Sequence, residues 1–305
     1  MAMEQIQFDV IIAGGSYAGI SAALALGRSL REVLIIDSGS PCNLGTPFSH
    51  NLITHDGTPP EEIMAKARKE LETYTNVRLL ENTLAKVDKD AEGFIAEVIT
   101  GEQFSCKKLL FATGVRDTLP GIRGFYECWG TSAFHCPYCH GYEHRNNKVI
   151  VLAGGDHGFE FTKTLRNWFD DLTLCTNGMP PLSKGQQALL RKHGIEIVEK
   201  RISHIAHTEG QARELVFTDG STQPVEVFFA APDLTQHCDI PAALGCELTK
   251  EGLLVVNEFQ QTTLDGIYAA GDNSRATRAI SVAIGAGAIA GMCINQQLTS
   301  DAFGD

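Results

Sequence analysis

At 305 residues the chain is long enough for two domains of ordinary size, each with its own core. Its 43% hydrophobic and 20% charged residues are the composition of a soluble globular protein, and a net charge of −12 leaves no basic surface to neutralise phosphates, which excludes nucleic acid as a partner. Nine cysteines, an odd number spread along the chain, do not make an extracellular disulfide framework, so a reducing cytoplasm is expected.

The first apolar run, "FDVIIAGG" from Phe8, reads as a strand entering a glycine turn and carries neither the charged lead-in nor the cleavage site of a secretory signal. "GGSYAG" (14–19) and an alanine-rich helical stretch follow, and "EVLIID" returns to a strand that ends at Asp37. Strand, turn, helix and strand within about 30 residues is the order of a βαβ nucleotide-binding unit. A dinucleotide fingerprint wants glycine at the first, third and sixth positions of the turn, which here are Gly14, Ser16 and Gly19. Serine in the middle is a departure, yet small enough for phosphates to approach the helix N-terminus beside Gly15 and Ala18. Asp37 stands where a carboxylate would accept hydrogen bonds from a ribose diol; the plainer reading is an ordinary βα turn with an exposed Asp.

"KKLLFATG" (107–114) runs apolar into Ala112, Thr113 and Gly114. "TSAFHCPYCHGYEHR" (131–145) then packs two cysteines and three histidines together. Cys136-Pro137-Tyr138-Cys139-His140 fits a covalent haem attachment, half of a zinc site supplemented by His135, His140 and His144, or a redox dithiol. The missing export signal weighs against haem, and zinc wants a second ligand cluster, so the dithiol leads. "NKVIVLAGGDHGFEFTKTLRNW" (147–168), followed by "DLTLCTN", repeats the nucleotide-unit order about 140 residues after the first. "LVFTDGSTQPVEVFF" (215–229) carries an Asp-Gly turn between two apolar strands, a hairpin signal. "GIYAAGD" (266–272) is a strand ending in Gly271-Asp272. "AISVAIGAGAIAGMCI" (279–294) is short of the about 18–20 apolar residues of a membrane span and reads as a buried, closely packed helix, so no membrane partner is expected.

Taken in this order and spacing, "GGSYAG", Ala112-Thr113-Gly114, Cys136-x-x-Cys139 and Gly271-Asp272 resemble the low-molecular-weight thioredoxin reductases along nearly the whole chain. The resemblance implies an α/β fold of three-layer ββα type, with two Rossmann-like domains, the second inserted in the first. The FAD-binding domain is expected at 1–116 and 248–305, and the inserted NAD(P)-binding-like domain at 117–247, carrying the CxxC at the start of its first helix. It implies FAD as cofactor, a dithiol or disulfide substrate, small molecule or thioredoxin-like protein, and a homodimer. Asp272 would hold the ribityl chain of FAD, and Arg278 and Ala279 would bring the next helix's N-terminus to the isoalloxazine, although the family usually has Gln where Arg278 stands. Cys139 would face the flavin and Cys136 would meet the substrate. The family's Asp after the second cysteine is replaced by His140, a group that titrates near neutral pH and can move a proton to or from a thiolate. His135 and His144, then His50 and His55 in "SHNLITHDG", are weaker candidates for that role.

The second fingerprint departs further. "AGGDHG" (153–158) could pass as a turn, but the following strand ends Cys175, Thr176, Asn177, Gly178, without the arginines that grip the 2′-phosphate of NADPH and without an acid for NADH. NADPH is therefore a doubtful donor. The motifs are similar to those of dithiol oxidases that close disulfides in natural products, where electrons run from a dithiol through CxxC to FAD and oxygen; other relatives lacking the arginines use ferredoxin. An NADPH-dependent thioredoxin reductase and a non-catalytic flavin-binding sensor remain as alternatives.

Overall fold

The computed structural model describes residues 7–43 and 45–304. The chain divides into two compact units, the first made of Met1–Leu44, Pro60–Arg116 and Leu234–Asp305, the second of Gly45–Pro59 and Asp117–Asp233. The division departs from the expected one at two places. Residues 234–247 join the first unit because Cys238, Ile240, Leu244 and Cys246 pack into its apolar core. Gly45–Pro59 joins the second, where its His50 faces Glu143.

In the first unit β1 (Gln7–Ala13), α1 (Tyr17–Arg28), β2 (Val33–Asp37), α2 (Pro60–Leu71) and β3 (Val77–Glu81) alternate strand and helix, and the three strands pair in parallel. A meander of β4 (Leu84–Asp90), β5 (Gly93–Val98) and β6 (Gln103–Phe111) follows. Strand order is β3-β2-β1-β6-β5-β4, with β6 parallel to β1 and antiparallel to β5. Alternate residues of β1 enter different cores. Val10 and Ile12 face the helical side with Ala22 and Leu26 of α1, whereas Ile11 and Ala13 face the side of Phe94, Val98 and Phe104. A segment buried on both faces must be apolar, which is why "VIIA" after Asp9 shows no polar alternation.

After β7 (Val115–Thr118) the second unit runs α3 (Phe125–Cys128), β8 (Ala133–Phe134), α4 (Pro137–His140), β9 (Val149–Leu152), α5 (Gly155–Leu165), β10 (Leu172–Cys175), α6 (Lys184–Lys192) and β11 (Glu196–Val198). The hairpin strands β12 (Ile202–Thr208), β13 (Gln211–Phe217) and β14 (Thr222–Pro224) form an antiparallel sheet, and β15 (Val227–Ala230) completes a parallel one in the order β11-β10-β9-β15-β8. The expected hairpin is present, but its second strand is only Thr222–Pro224; the apolar "VFF" run belongs to the parallel sheet, where Val227–Ala230 is buried. The chain then forms β16 (Asp233–Gln236), paired with β7, α7 (Ile240–Leu244), β17 (Ile267–Ala269) on β6, and α8 (Ile280–Phe303).

The small residues of α8 have a packing cause. A Cβ at Gly287 would stand 2.1 Å from Ala18 O of α1, and one at Gly291 2.7 Å from Ala22 O, so the two helices meet backbone to backbone. Among the described residues no helix is long and apolar enough to cross a membrane.

Candidate active site

Two clusters gather the residues singled out above, one in each unit. In the first unit, β1, β6 and β17 lie side by side in register, Ala13 beside Phe111 and Phe111 beside Ala269, so the turns after them converge. Gly14 (φ +104°) packs so closely on the Ala112 carbonyl that a Cβ would sit 2.3 Å from its oxygen, and Gly271 (φ +96°) lies against Ala18. Ala112, Thr113 and Gly114 thus share one strand-end crevice with Gly14, Gly15, Ser16, Ala18, Gly19, Gly271 and Asp272. Ligands of open α/β sheets bind at such carboxyl ends.

Ser16 is the N-cap of α1, and its side chain makes no capping hydrogen bond to the first turn. Gly19 is obligatory, since a Cβ there would lie 1.9 Å from Gly14 O. Asp37 is no bare surface acid. Its Oδ1 accepts from Gly15 N at 3.0 Å and its Oδ2 from Arg68 Nη2 at 2.7 Å, which orients the carboxylate toward the glycine turn. Arg68 had no signal in the sequence beyond its place in the last turn of α2. Asp272 is paired with Arg278 (Nε to Oδ2, 3.1 Å), and Ala279 is the N-cap of α8. Nearby Asn273 donates to Phe111 O at 2.8 Å, while its buried Oδ1 and the buried Nε of Arg275 have no protein partner. Buried polar atoms are normally satisfied, and a polar ligand at this crevice would satisfy the Asn273 Oδ1. The glycine turn, the oriented acid and this orphaned oxygen fit a dinucleotide.

The second cluster starts where β8 ends. Cys136 caps α4, Pro137 occupies its first turn, and Cys136 and Cys139 form a disulfide. Backbone N–H of Cys139 donates to Cys136 Sγ at 3.1 Å, a contact that stabilises negative charge on that sulfur. Two expectations need correction. The pair lies on the unit's second helix, α3 being the first, and α4 has only four residues, so the local amide outweighs any macrodipole. His140 does not titrate near neutrality: burial pushes it down to about 4, helped by the nearby charges of His135, His144 and His50. Its ring stacks on Phe134 (centroids 4.2 Å apart), as does that of His144 (5.1 Å), and His135 stacks on Trp129. His144 is also lowered, chiefly by burial, with a hydrogen bond to Asn147 opposing. Two buried cysteines elsewhere are held as thiols: burial pushes Cys106 up to about 12 and Cys175 up to about 11. Among the described residues no group of three or more His, Cys, Asp or Glu could hold a metal ion.

The second fingerprint is packed by the chain itself. Gly155 N donates to Pro180 O at 2.7 Å, and a Cβ at Gly154 would meet Met179 Cβ at 2.5 Å. Residues 176–183 contain no basic side chain, as expected, but the tertiary structure brings one there: a Cβ at Gly178 would stand 3.0 Å from Arg201 Cζ. The linear order gave no hint of Arg201.

A family model described as pyridine nucleotide-disulphide oxidoreductase matches residues 8–287. The chain is similar to thioredoxin reductase aclD of Aspergillus oryzae, 32% identical over 96% of this chain and 97% of that protein. Thioredoxin reductase tcpT of Claviceps purpurea is also 32% identical, over 97% and 96%. The fold superimposes on the crystal structure of an oxidoreductase from Agrobacterium tumefaciens with a TM-score of 0.91 and 36% identity, covering 98% of this chain and all of that one.

Proposed function

The chain belongs to the pyridine nucleotide-disulphide oxidoreductase family, enzymes acting on sulfur groups, and from that premise we propose that it passes electrons between FAD and a dithiol or disulfide substrate through Cys136 and Cys139, without NADPH as its regular donor. The observation that carries this reading is the Cys136–Cys139 disulfide with His140 four residues after Cys136. Thioredoxin reductase-like relatives generally bind FAD, and the residues that would hold it are Gly14, Gly15, Ser16, Ala18 and Gly19 at the pyrophosphate, Asp37 at the ribose, Ala112, Thr113 and Gly114 along the crevice, and Gly271, Asp272, Arg278 and Ala279 toward the ring. When bound, FAD supplies a carrier that takes or gives two electrons at once.

In the oxidising direction His140, neutral near pH 7 because burial holds it at about 4, accepts the proton of a substrate thiol. The resulting thiolate attacks Cys136 Sγ, the Cys136–Cys139 bond breaks, and its electron pair leaves on Cys139. The second substrate thiolate then attacks the first substrate sulfur, closing the substrate disulfide and releasing Cys136 as a thiolate steadied by Cys139 N–H. New negative charge on the sulfurs raises the proton affinity of His140, so the imidazole takes up a proton more readily once exchange has begun.

Two features support independence from NADPH: the absence of basic residues in 176–183 and the use of Gly155 N–H by Pro180 O. One observation favours an NADPH-dependent reductase instead, the guanidinium of Arg201 at Gly178, although a single exposed arginine is not a bidentate fork. Anaerobic titration of the holoenzyme with NADPH, NADH and dithiothreitol, following flavin bleaching, separates them. Bleaching by dithiothreitol alone is expected, with peroxide formed on admitting air if oxygen is the acceptor; fast stoichiometric bleaching by NADPH overturns the reading. Cys136→Ser or Cys139→Ser should keep the yellow colour and lose about a thousandfold or more of turnover; a non-catalytic sensor would show no turnover to lose.

A further inference from the structure

The segment "SHNLITHDG" is organised in a way the nucleotide and dithiol motifs do not require. Ser49 N donates to Thr58 O at 2.9 Å and Gly57 N to Ser49 O at 2.8 Å, closing the loop at its base. Asp56 Oδ1 accepts from Asn51 N at 2.8 Å across its middle. Asn51 (φ +59°) and Thr54 (φ +69°) hold left-handed conformations that cost free energy in non-glycine residues. The outcome is a fixed position for His50, whose Nδ1 lies 3.6 Å from Asp56 Oδ1 and 3.7 Å from Glu143 Oε1. His50 is 21% exposed, Glu143 37% and Asp56 72%, so a gradient of solvent access runs outward from the imidazole. Glu143 follows His140 by three residues, so its contact with His50 brings the imidazole to the segment that leaves α4, and the charge of a protonated His50 opposes a proton on the half-buried His140, as those of His135 and His144 do.

We infer that His50 is a positioning and relay residue that passes protons between His140 and the surface carboxylates Glu143 and Asp56 during disulfide exchange, an inference that rests on the exchange reading above. A half-buried imidazole with three histidines around it is a poor place to leave a proton. Each oxidised dithiol gives up two S–H protons while one electron pair passes to the cysteine sulfurs, whose disulfide bond breaks. His140 takes the first proton at the sulfurs, and with His50 flanked by two carboxylates that proton moves outward, leaving His140 free for the second. The reverse direction supplies protons to thiolates by the same route. His50 touches neither the sulfurs nor a reacting atom in this scheme; it acts through His140.

The test is a single turnover of the oxidised holoenzyme with dithiothreitol, counting protein thiols against time from pH 5.5 to 9, for wild type, His50→Ala, His50→Asn and Glu143→Gln. His50→Ala is expected to slow disulfide reduction about tenfold near neutral pH, within the range of acid–base contributions, and added imidazole should restore most of the rate. Glu143→Gln, on an exposed side chain, should slow it about threefold. A wild-type rate in His50→Ala, or a loss that is the same at every pH and that imidazole does not recover, overturns the relay and leaves His50 a structural residue. If His50→Ala does not fold, His50→Asn and Glu143→Gln carry the same comparison of pH profiles, and unchanged profiles in both are equally fatal. Exchange persisting in Cys139→Ser would instead sink the underlying dithiol reading, whatever the histidine variants do.

Discussion

Two glycine turns of the same design sit in the two units, and they differ in what meets them. Strand registers align them: Ala13 pairs with Ile36 as Leu152 pairs with Cys175, so Gly14–Gly19 corresponds to Ala153–Gly158, and Asp37 to Thr176. In the first unit the position after the second strand carries a carboxylate drawn to the turn by Gly15 N–H and Arg68. In the second it carries a buried threonine, and the loop beyond it turns back so that Pro180 O takes the Gly155 amide. A βα turn therefore does not by itself predict a nucleotide. What differs is the partner of the turn: a charged carboxylate held by Arg68 in the first unit, a backbone carbonyl in the second.

The sharpest way to break that comparison is to add a methyl to each turn. Gly19→Ala puts a Cβ 1.9 Å from Gly14 O. It should cost about 3 kcal/mol of overpacking, read as FAD retention weakened about a hundredfold in equilibrium dialysis. Gly158→Ala, whose Cβ would lie 2.9 Å from Ala153 C, should lower thermal stability yet leave the FAD-to-protein ratio at the wild-type value. Loss of flavin from both variants would contradict the assignment of roles.

A smaller effect is expected from the acid. Asp37→Asn keeps the shape but removes the charge that holds Gly15 N–H and Arg68, and should weaken FAD retention about tenfold, the size of one charge-assisted hydrogen bond. Thr176→Asn at the matching position should leave FAD retention unchanged.

Acid should act through the second unit. His140 is depressed from 6.5 to about 4 in the folded protein, so between those values the unfolded chain binds more protons and stability falls as pH is lowered. His144 shifts in the same direction. The melting temperature should drop on acidification from pH 6.5 to 4, and His140→Gln should flatten that slope; an unaltered slope would show that His140 is not the group responsible. The smallest effect is predicted for Arg201→Ala, which should change any slow bleaching by NADPH less than about twofold, a lone exposed contact being worth a few tenths of a kcal/mol. A tenfold loss would show that the second turn accepts a phosphorylated dinucleotide after all.

Much of the molecule was legible in local pattern. The apolar run of β1, the small residues of α8 and the Cys-x-x-Cys spacing each report a constraint that acts over a few neighbouring residues: burial on both sheet faces, helix contact, and a small-loop disulfide. The crevice motifs at Gly14, Ala112 and Gly271 were individually ordinary, and only their order marked them. The hairpin was misjudged in extent, because "VFF" is as apolar as a hairpin strand needs to be while its hydrogen bonds go to β9 and β8.

What the sequence by itself determined is most of the elements and the Cys-x-x-Cys pair, since periodicity, turn chemistry and the cysteine spacing are local. Tertiary structure alone decided the electrostatics. Arg68 reaches Asp37 across 31 residues, Arg201 reaches Gly178 across 23, and His50 meets Glu143 across 93, while the titration of His140 depends on how deeply β8 and its neighbours bury it. Charge and desolvation depend on distance in space, which no spacing along the chain encodes.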